Sequence, residues 1–303
     1  MIKQPPFLRK GDTIGIVCPS GHLPIAQTAA CVQQLKHWGF QVKIGPTVGG
    51  RFHSFAGTDE ERCADLQQMI DDPSINAILC GRGGYGLSRI IDQLDFSRFR
   101  KHPKWIIGFS DITVLHAHLY RQFQICSLHA PMARAFSNKN QAGIETLHRA
   151  MIGRKLHYSC KPHAFNRQGQ VSGPLIGGNL SLIAHLTGTK SALPAKGAIL
   201  FLEDVGEYIY NIDRMMIQLK RSGLLGQIAG LIVGGFSETK DTAIPFGASP
   251  EEVIRAQAAA FDFPVCFGFP VSHEEDNLAL KHGAMHHLHI SGRSVRLEEI
   301  SAV

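Results

Sequence analysis

The chain has 303 residues, of which 44% are hydrophobic and 18% are charged, a balance that excludes intrinsic disorder as the main state. Lys and Arg outnumber Asp and Glu by 31 to 25, but the excess is scattered, unlike the clustered charge of a nucleic-acid-binding surface. The apolar runs are too short to span a membrane, and the seven cysteines form no CxxC pair. We therefore expect a cytoplasmic protein of one large or two ordinary domains, without nucleic-acid or membrane partners.

The first half of the chain alternates short apolar runs with amphipathic stretches, a pattern typical of a parallel sheet covered by helices on both faces. The pattern predicts strands over 13–18, 40–44, 75–80 and 105–109, and helices over 26–38, 59–71, 87–94 and 111–121. Thr58 followed by Glu61 predicts a capping box at the second helix, and Gly39 predicts a C-terminal cap for the first.

A change of pattern divides the chain near its middle. Residues 154–173 are polar and non-periodic, as an interdomain crossing would be. We therefore predict an α/β protein with an N-terminal domain over 1–157, a linker over 158–172 and a smaller C-terminal α/β domain over 173–303. Buried strands are predicted over 198–203 and 228–234, separated by a helix with one apolar face and followed by two short strands at the end of the chain.

Residues 106–112 (IIGFSDI) give the sharpest local signal, an apolar strand that meets a small-residue break and then a helix. A serine at such a turn projects its hydroxyl off the sheet edge, where amides at the helix start can stabilise an oxyanion. Gly108 permits a close turn, but Ile112 stands where the hydrolase elbow has its second glycine. Ser110 is therefore either a nucleophile or an ordinary helix cap.

Residues 81–86 (GRGGYG) satisfy the GxGxxG pattern between a predicted strand and a predicted helix, as a dinucleotide-binding loop does. The loop follows the third strand rather than the first, and no acidic residue ends a strand about 20 positions later. Two alternatives are a turn that brings a bare backbone N–H beside the serine and completes an oxyanion hole, and a purely structural tight turn.

A nucleophilic serine needs a base, and sixteen histidines offer many candidates. His116 and His118 fall on the helix after Ser110 and would point away from its hydroxyl, while His129 lies in a predicted loop. His273 is better placed, because it lies in a polar loop that follows a predicted strand. An ordinary surface histidine is the alternative at this position.

Two further groups complete the candidates. Glu203 ends a very apolar strand and could orient the base, or it could cap a helix or form an ion pair. A late group of histidines suggests a metal site, but no Asp, Glu or Cys at ligand spacing accompanies it; its members are His282, His286, His287 and His289. Exposed strand histidines are favoured there, and we expect neither a metal ion nor another cofactor.

Five segments resemble the LD-carboxypeptidases of serine peptidase family S66, in the family's order. They are GRGGYG at 81–86, GFSD at 108–111, GPLIGGNLS at 173–181, LED at 202–204 and GFPVSH at 268–273. The resemblance implies a homodimer of two-domain subunits whose N-terminal open parallel sheet is flavodoxin-like or glutamine-amidotransferase-like. It also implies a metal-independent triad of Ser110 as nucleophile, His273 as general acid/base and Glu203 as its orienting partner, with an oxyanion hole formed by the amides of Asp111 and of Gly83 or Gly84.

The resemblance also implies a substrate. Family members release terminal D-alanine from murein tetrapeptides in cytoplasmic cell-wall recycling, whereas a related branch hydrolyses a peptide-nucleotide antibiotic and confers self-immunity. That branch tends to carry an extra aromatic loop, which this sequence lacks. The absence of this loop favours murein as the substrate, although Val271 and Ser272 replace the more usual Phe-Gly and residues 277–283 also depart from the family pattern.

The groups that bind the substrate are less well defined by the sequence. Arg82 and Asn277 flank the inferred site and are candidates to bind substrate carboxylates, although an ion pair or a loop hydrogen bond would explain each equally well. Two alternatives from other classes remain. One is a dinucleotide-binding protein that uses Gly81, Gly83 and Gly86, and the other is a non-catalytic binder of peptidoglycan fragments.

Overall fold

The computed structural model describes residues 2–137 and 141–300, and the chain forms two compact units. Unit 1 comprises Met1–Arg154 and Leu278–Lys281, and unit 2 comprises Lys155–Asn277 and His282–Val303. Within the described residues, no helix is both long enough and apolar enough to cross a bilayer.

The elements follow in chain order. The helices are α1 (Ala29–His37), α2 (Asp59–Asp71), α3 (Leu87–Ile90), α4 (Ser97–Lys101), α5 (Thr113–Phe123), α6 (Gln141–Met151), α7 (Leu180–Leu186), α8 (Ile209–Arg221) and α9 (Pro250–Ala258). The strands are β1 (Thr13–Val17), β2 (Gln41–Ile44), β3 (Ile75–Cys80), β4 (Trp105–Gly108), β5 (Ser127–His129), β6 (His157–Cys160), β7 (Gly169–Asn179), β8 (Ile199–Val205), β9 (Gly230–Ser237), β10 (Val265–Phe267), β11 (Leu280–His282), β12 (Met285–Ile290) and β13 (Val295–Glu299).

The sheet of unit 1 has the strand order β11-β5-β4-β3-β1-β2, and its pairs from β5 to β2 are parallel. Every residue of β4 and β5 is buried, as expected where both faces of a parallel sheet are covered. The predicted α/β class and N-terminal parallel sheet are confirmed. The carboxyl ends of β1, β3, β4 and β5 meet at one edge of this sheet, where α/β proteins bind their ligands.

The predicted capping box is confirmed at α2. Thr58 Oγ1 accepts a hydrogen bond from the Glu61 N–H (3.2 Å), and Glu61 Oε2 accepts one from the Thr58 N–H (2.8 Å). Two helix boundaries differ from the prediction. The helix expected over 87–94 ends at Ile90 and continues as a 3₁₀ turn, and the helix expected from 111 begins with a 3₁₀ turn at Ser110–Ile112.

The sheet of unit 2 has the order β10-β9-β8-β7-β12-β13-β6. Its strands are parallel from β10 to β7 and antiparallel from β7 to β6. The predicted linker over 158–172 differs from the structure, because this segment holds most of β6 and the start of β7. Only Tyr158 is buried in β6, whose residues pair with the last strand, so no apolar run marks this strand in the sequence.

Candidate active site

Ser110 follows β4 directly, and its backbone has a φ of 63°, in the left-handed region that residues with a side chain rarely occupy. The turn is tight, because a Cβ at Gly108 would lie 2.8 Å from Ile112 Cγ1. No side-chain hydrogen bond caps this 3₁₀ turn or the start of α5, so Ser110 does not act as an ordinary helix cap. A half-buried serine on a strained strand-to-helix turn is the arrangement of a nucleophile elbow.

The glycine-rich turn after β3 packs against this serine. A Cβ built at Gly83 would lie 2.9 Å from Ser110 Oγ and 3.4 Å from the Asp111 amide nitrogen, so only glycine fits there. Within the described residues, the amides of Gly83 and Gly84 donate no hydrogen bond. The backbone of Gly83 and the amide of Asp111 are therefore adjacent to the serine hydroxyl, as an oxyanion hole requires. A Cβ at Gly84, where φ is 106°, would instead lie 3.4 Å from Gly21 Cα.

Packing inside unit 1 also accounts for the other glycines of the GxGxxG pattern. A Cβ at Gly81 would lie 2.4 Å from Cys18 Sγ, and one at Gly86 would lie 2.7 Å from Arg62 Nη1. The helix that follows, α3, has only four residues. The dinucleotide hypothesis thus gains no support, because close approach to protein atoms explains each of these glycines.

Two buried charged side chains tie the loops of this edge together. Asp111 is 1% exposed, and its Oδ2 accepts hydrogen bonds from Ser20 Oγ (2.6 Å) and from the Leu87 N–H (2.9 Å). Arg62, fully buried on α2, donates through Nη1 to the carbonyl oxygens of Pro19 (2.5 Å) and Gly86 (3.0 Å). The loops after β1, β3 and β4 are therefore fixed to one another around Ser110.

The second predicted group lies in unit 2. Glu203 is fully buried near the end of β8, and its Oε2 accepts a hydrogen bond of 2.5 Å from His273 Nδ1. Two glycines of β9 make room for the segment that carries the histidine. A Cβ at Gly234 would lie 2.1 Å from the Val271 carbonyl oxygen, and the Gly235 N–H donates to that oxygen (2.9 Å).

The electrostatics of the pair favour a protonated imidazole. Burial by itself lowers the pKa of His273, but the charge of Glu203 and its hydrogen bond outweigh that effect. The charges of Asp204 and Glu238 act in the same direction, so the pKa is raised above its ordinary value. Because Nδ1 donates to the carboxylate, Nε2 carries the lone pair of the neutral ring, which is the form a general base needs.

Asp204, the next residue of β8, anchors the segment GGNLS. Burial raises the pKa of Asp204, hydrogen bonds from Ser181 and Asn179 lower it, and the charge of Glu203 adds to the rise. Asp204 Oδ2 accepts from the Ser181 N–H (2.9 Å) and hydroxyl (2.6 Å), and Oδ1 accepts from Asn179 Nδ2 (2.7 Å). Asn179 in turn caps α7 through its Oδ1 and the Leu182 N–H (3.2 Å).

The other candidate bases have structural surroundings. His116 Nε2 donates to the Gly108 carbonyl oxygen (2.8 Å), and its Nδ1 accepts from Ser127 Oγ (2.8 Å). Burial lowers the pKa of His116 to about 4, so the ring is neutral and supports the strand beneath the serine turn. His118 packs on Phe96, with ring centroids 5.2 Å apart. His129 lies in β5, fully buried, rather than in the predicted loop.

The remaining predicted residues are distributed over both units. Arg82, in unit 1, donates through Nη1 to the His22 carbonyl oxygen (3.0 Å). Asn277, in unit 2, is 2% exposed, and its Oδ1 has no hydrogen-bond partner within the described residues. His286 is buried in β12, whereas His287 and His289 are half-buried on its other face. Among residues 2–137 and 141–300, no group of three His, Cys, Asp or Glu side chains could hold a metal ion.

The structure thus brings the predicted residues together in two groups. Ser110, Asp111, Gly83 and Gly84 form one group within unit 1, and Glu203 with His273 forms the other within unit 2.

Two family models and several curated proteins are similar to this chain. Residues 14–130 match the family model described as LD-carboxypeptidase N-terminal domain, and residues 172–288 match that of the LD-carboxypeptidase C-terminal domain. The chain is 32% identical to a probable murein peptide carboxypeptidase of Bacillus subtilis, covering 93% of this chain and 90% of the relative. It is 31% identical to a murein tetrapeptide carboxypeptidase of Pseudomonas aeruginosa, covering 89% and 91%.

Two further similarities are to a solved structure and to a self-immunity protein. The crystal structure of muramoyltetrapeptide carboxypeptidase from Oxalobacter formigenes superposes with a TM-score of 0.87 at 28% identity, covering 95% of this chain and 99% of that one. The microcin C7 self-immunity protein of Escherichia coli is 27% identical, covering 99% of this chain and 98% of the relative.

Proposed function

The chain belongs to the LD-carboxypeptidase family, peptidase family S66, and on that premise we propose that it is a serine carboxypeptidase that releases terminal D-alanine from murein tetrapeptides. The observation that carries the proposal is Ser110, held at a φ of 63° on the strand-to-helix turn with the Gly83 backbone against its hydroxyl. The names of the Bacillus and Pseudomonas relatives support the substrate class.

The proposed reaction passes through an acyl-enzyme. Ser110 Oγ attacks the carbonyl carbon of the L,D-peptide bond while His273 Nε2 takes its proton, and the amides of Asp111 and of Gly83 or Gly84 stabilise the oxyanion. The C–N bond then breaks, and His273 returns the proton to the amine of the leaving D-alanine. Water, deprotonated by the same histidine, hydrolyses the ester. Glu203 holds Nδ1–H throughout, and no step needs a metal ion.

The proposal also covers the groups that bind the substrate, the cellular location and the oligomeric state. Arg82 and Asn277 are its candidates for the substrate carboxylates, because Arg82 adjoins the Gly83 turn and Asn277 has a buried acceptor without a partner among the described residues. It also includes a cytoplasmic role in cell-wall recycling and a homodimer. Sedimentation that shows only monomer would remove the homodimer from it.

The direct test is release of D-alanine from L-Ala-γ-D-Glu-meso-diaminopimelate-D-Ala, with and without EDTA. We expect Ser110→Ala to lower kcat by a factor on the order of 10⁶ and EDTA to have no effect. Ser222→Ala, an exposed serine at the end of α8, is the matched control and should keep wild-type activity. Full release by the Ser110→Ala protein would disprove the serine mechanism, and binding of the tetrapeptide without turnover by wild type would favour the non-catalytic binder.

A second candidate substrate is a peptide-nucleotide antibiotic. The observation that favours it is the similarity to the microcin C7 self-immunity protein along almost the whole of both chains. The same triad would cleave an amide next to a nucleotide instead of D-alanine. Comparing kcat/KM for an aminoacyl-nucleotide amide and for the tetrapeptide decides between the two, since the true substrate class should be preferred by orders of magnitude.

A further inference from the structure

Two arginines lie at the same sheet edge as Ser110, on the loops to either side of it. Strand β4, which ends at the serine turn, pairs with β3 and with β5. Arg82 follows β3 in the glycine-rich turn, and Arg134 follows β5 in a 3₁₀ turn at Ala133–Ser137. The Arg134 N–H donates to the Gly81 carbonyl oxygen (3.0 Å), which joins the two loops directly.

The positive charge of Arg134 acts on the guanidinium group of Arg82. Burial lowers the pKa of Arg82, and the charge of Arg134 lowers it further. The Arg82 side chain lies along Gly21, where a Cβ would be 3.2 Å from its Nε, and one of its Nη1 protons goes to the His22 carbonyl oxygen. Within residues 2–137 and 141–300, no carboxylate forms an ion pair with either arginine. The nearby Asp111 carboxylate is instead bound by Ser20 Oγ and the Leu87 N–H, so the two positive charges have no carboxylate partner in the described part of the chain.

The chemistry of an exopeptidase needs an anion-binding group at this position. In a peptide that ends in D-alanine, three bonds join the scissile carbonyl carbon to the terminal carboxylate carbon, which therefore lie within about 4 Å of each other. The other carboxylates of the tetrapeptide are several bonds further from the attacked carbon. A terminal carboxylate beside the carbonyl that Ser110 attacks therefore lies within reach of the loops that neighbour the serine, and guanidinium groups bind carboxylates through paired, charge-assisted hydrogen bonds.

We propose that Arg82 and Arg134 together bind the terminal carboxylate of the substrate and so restrict cleavage to the last residue of the peptide. This inference rests on the proposed function and adds Arg134, together with the particular carboxylate that the pair recognises. Arg134 is exposed and its side chain forms no hydrogen bond in the described part of the chain, so replacing it should leave the fold intact.

The test compares the tetrapeptide acid with the same peptide ending in D-alaninamide, which lacks the negative charge. For wild type we expect kcat/KM to be at least about 100-fold higher for the acid. Arg134→Gln should lower the value for the acid by about 10- to 100-fold, mainly through KM, and should leave the amide within about 3-fold. Arg82→Lys keeps the positive charge but loses the planar guanidinium, so its kcat/KM for the acid should lie between the values of wild type and Arg134→Gln. Arg121→Gln, an exposed arginine at the end of α5, is the matched control.

Equal losses on acid and amide, or no loss on either, would overturn the inference. A binding measurement distinguishes failure of the carboxylate site from failure of the proposed reaction. Calorimetry with Ser110→Ala should show tighter binding of the acid than of the amide, and adding Arg134→Gln should abolish the difference. If this difference is present while wild type releases no D-alanine, the carboxylate site stands and the proposed reaction is wrong. If acid and amide bind equally, the carboxylate site is wrong.

Discussion

Replacing Glu203 by glutamine removes one negative charge from the hydrogen bond that orients His273 and nearly preserves the shape of the side chain. Glu203 is fully buried, the His273 side chain is 16% exposed, and 2.5 Å separate Oε2 from Nδ1. A hydrogen bond to a charged group contributes about 1.5–3 kcal/mol, and a neutral one about 0.5–1.5 kcal/mol. We therefore expect Glu203→Gln to lower the free energy of unfolding by about 1–2 kcal/mol when His273 is protonated.

This loss should depend on pH with a definite sign. Since the pKa of His273 is raised in the folded protein, the charged pair stabilises fully below the unfolded pKa of about 6.5. The stabilisation is lost as the pH rises through the folded pKa. In Glu203→Gln the carboxylate charge that raises the pKa of His273 is gone, so burial lowers this pKa below its wild-type value. The difference in Tm between wild type and variant should be about 2–3 °C near pH 6 and smaller near pH 9.

Catalysis gives an independent readout of the same coupling. If His273 is the base, the acid limb of kcat/KM reports its pKa in the free enzyme. In Glu203→Gln this limb should move to lower pH, and the plateau should fall by about 10²- to 10⁴-fold because the tautomer is no longer fixed. D-Alanine release from pH 5 to pH 10 measures both, with Glu251→Gln on α9 as the control. An unchanged acid limb together with a pH-independent Tm difference would refute the electrostatic argument.

Two further pairs of substitutions test the buried hydrogen bonds beside Ser110 and the close packing of β7 on β8. Asp111→Ala leaves two buried donors, Ser20 Oγ and the Leu87 N–H, unpaired, so we expect urea denaturation to show a free energy of unfolding lower by about 2–5 kcal/mol. Ser20→Ala removes only one of these hydrogen bonds and should lower it by about 1 kcal/mol. Equal losses for the two variants would show that the carboxylate does not join the loops. Gly177 has a φ of 146°, and Gly177→Ala would place a Cβ 1.9 Å from the Phe201 carbonyl oxygen, so it should lower the free energy of unfolding by about 3 kcal/mol or more. At Gly188 a Cβ would meet nothing within 4 Å, so Gly188→Ala should lower it by only about 1 kcal/mol. A similar urea midpoint for the two alanine variants would contradict the steric reason.

Strands β1, β3 and β4 could be predicted from the sequence because each is a short, largely apolar run followed by a small-residue break. Strand β5, with the sequence SLH, was expected to be a loop because it contains a single apolar residue. Local hydrogen bonding sets helix ends and was harder to infer. The helix after Ser110 begins as a 3₁₀ turn because the serine itself is left-handed, and a backbone angle leaves no mark in residue periodicity. Strand β6 escaped prediction because Tyr158 is its only buried residue and its pairing partner lies at the other end of unit 2.

The catalytic candidates could be inferred because their residue types at strand ends carry chemical meaning. The other residues of the site could not, since their roles arise from tertiary contacts. Arg134 gives no signal in the sequence, and Asp204 stands beside the more conspicuous Glu203. Arg62 does give a signal in the sequence, because it places a charge on the face of α2 that also carries the buried Leu66 and Met69. A charged residue at a core position of an amphipathic helix indicates that backbone acceptors lie opposite it.

The loop before and after His273 departs from the family pattern at Val271 and Ser272, and the structure gives the departure a local role. Ser272 Oγ accepts from the Glu274 N–H (3.0 Å) and donates to the Asp276 carbonyl oxygen (3.0 Å), so the serine closes the loop on itself. The imidazole is held by other contacts, namely the Glu203 carboxylate and the backbone bond from β9 to Val271. The contacts that shape the loop after the histidine are therefore separate from the contacts that orient the imidazole.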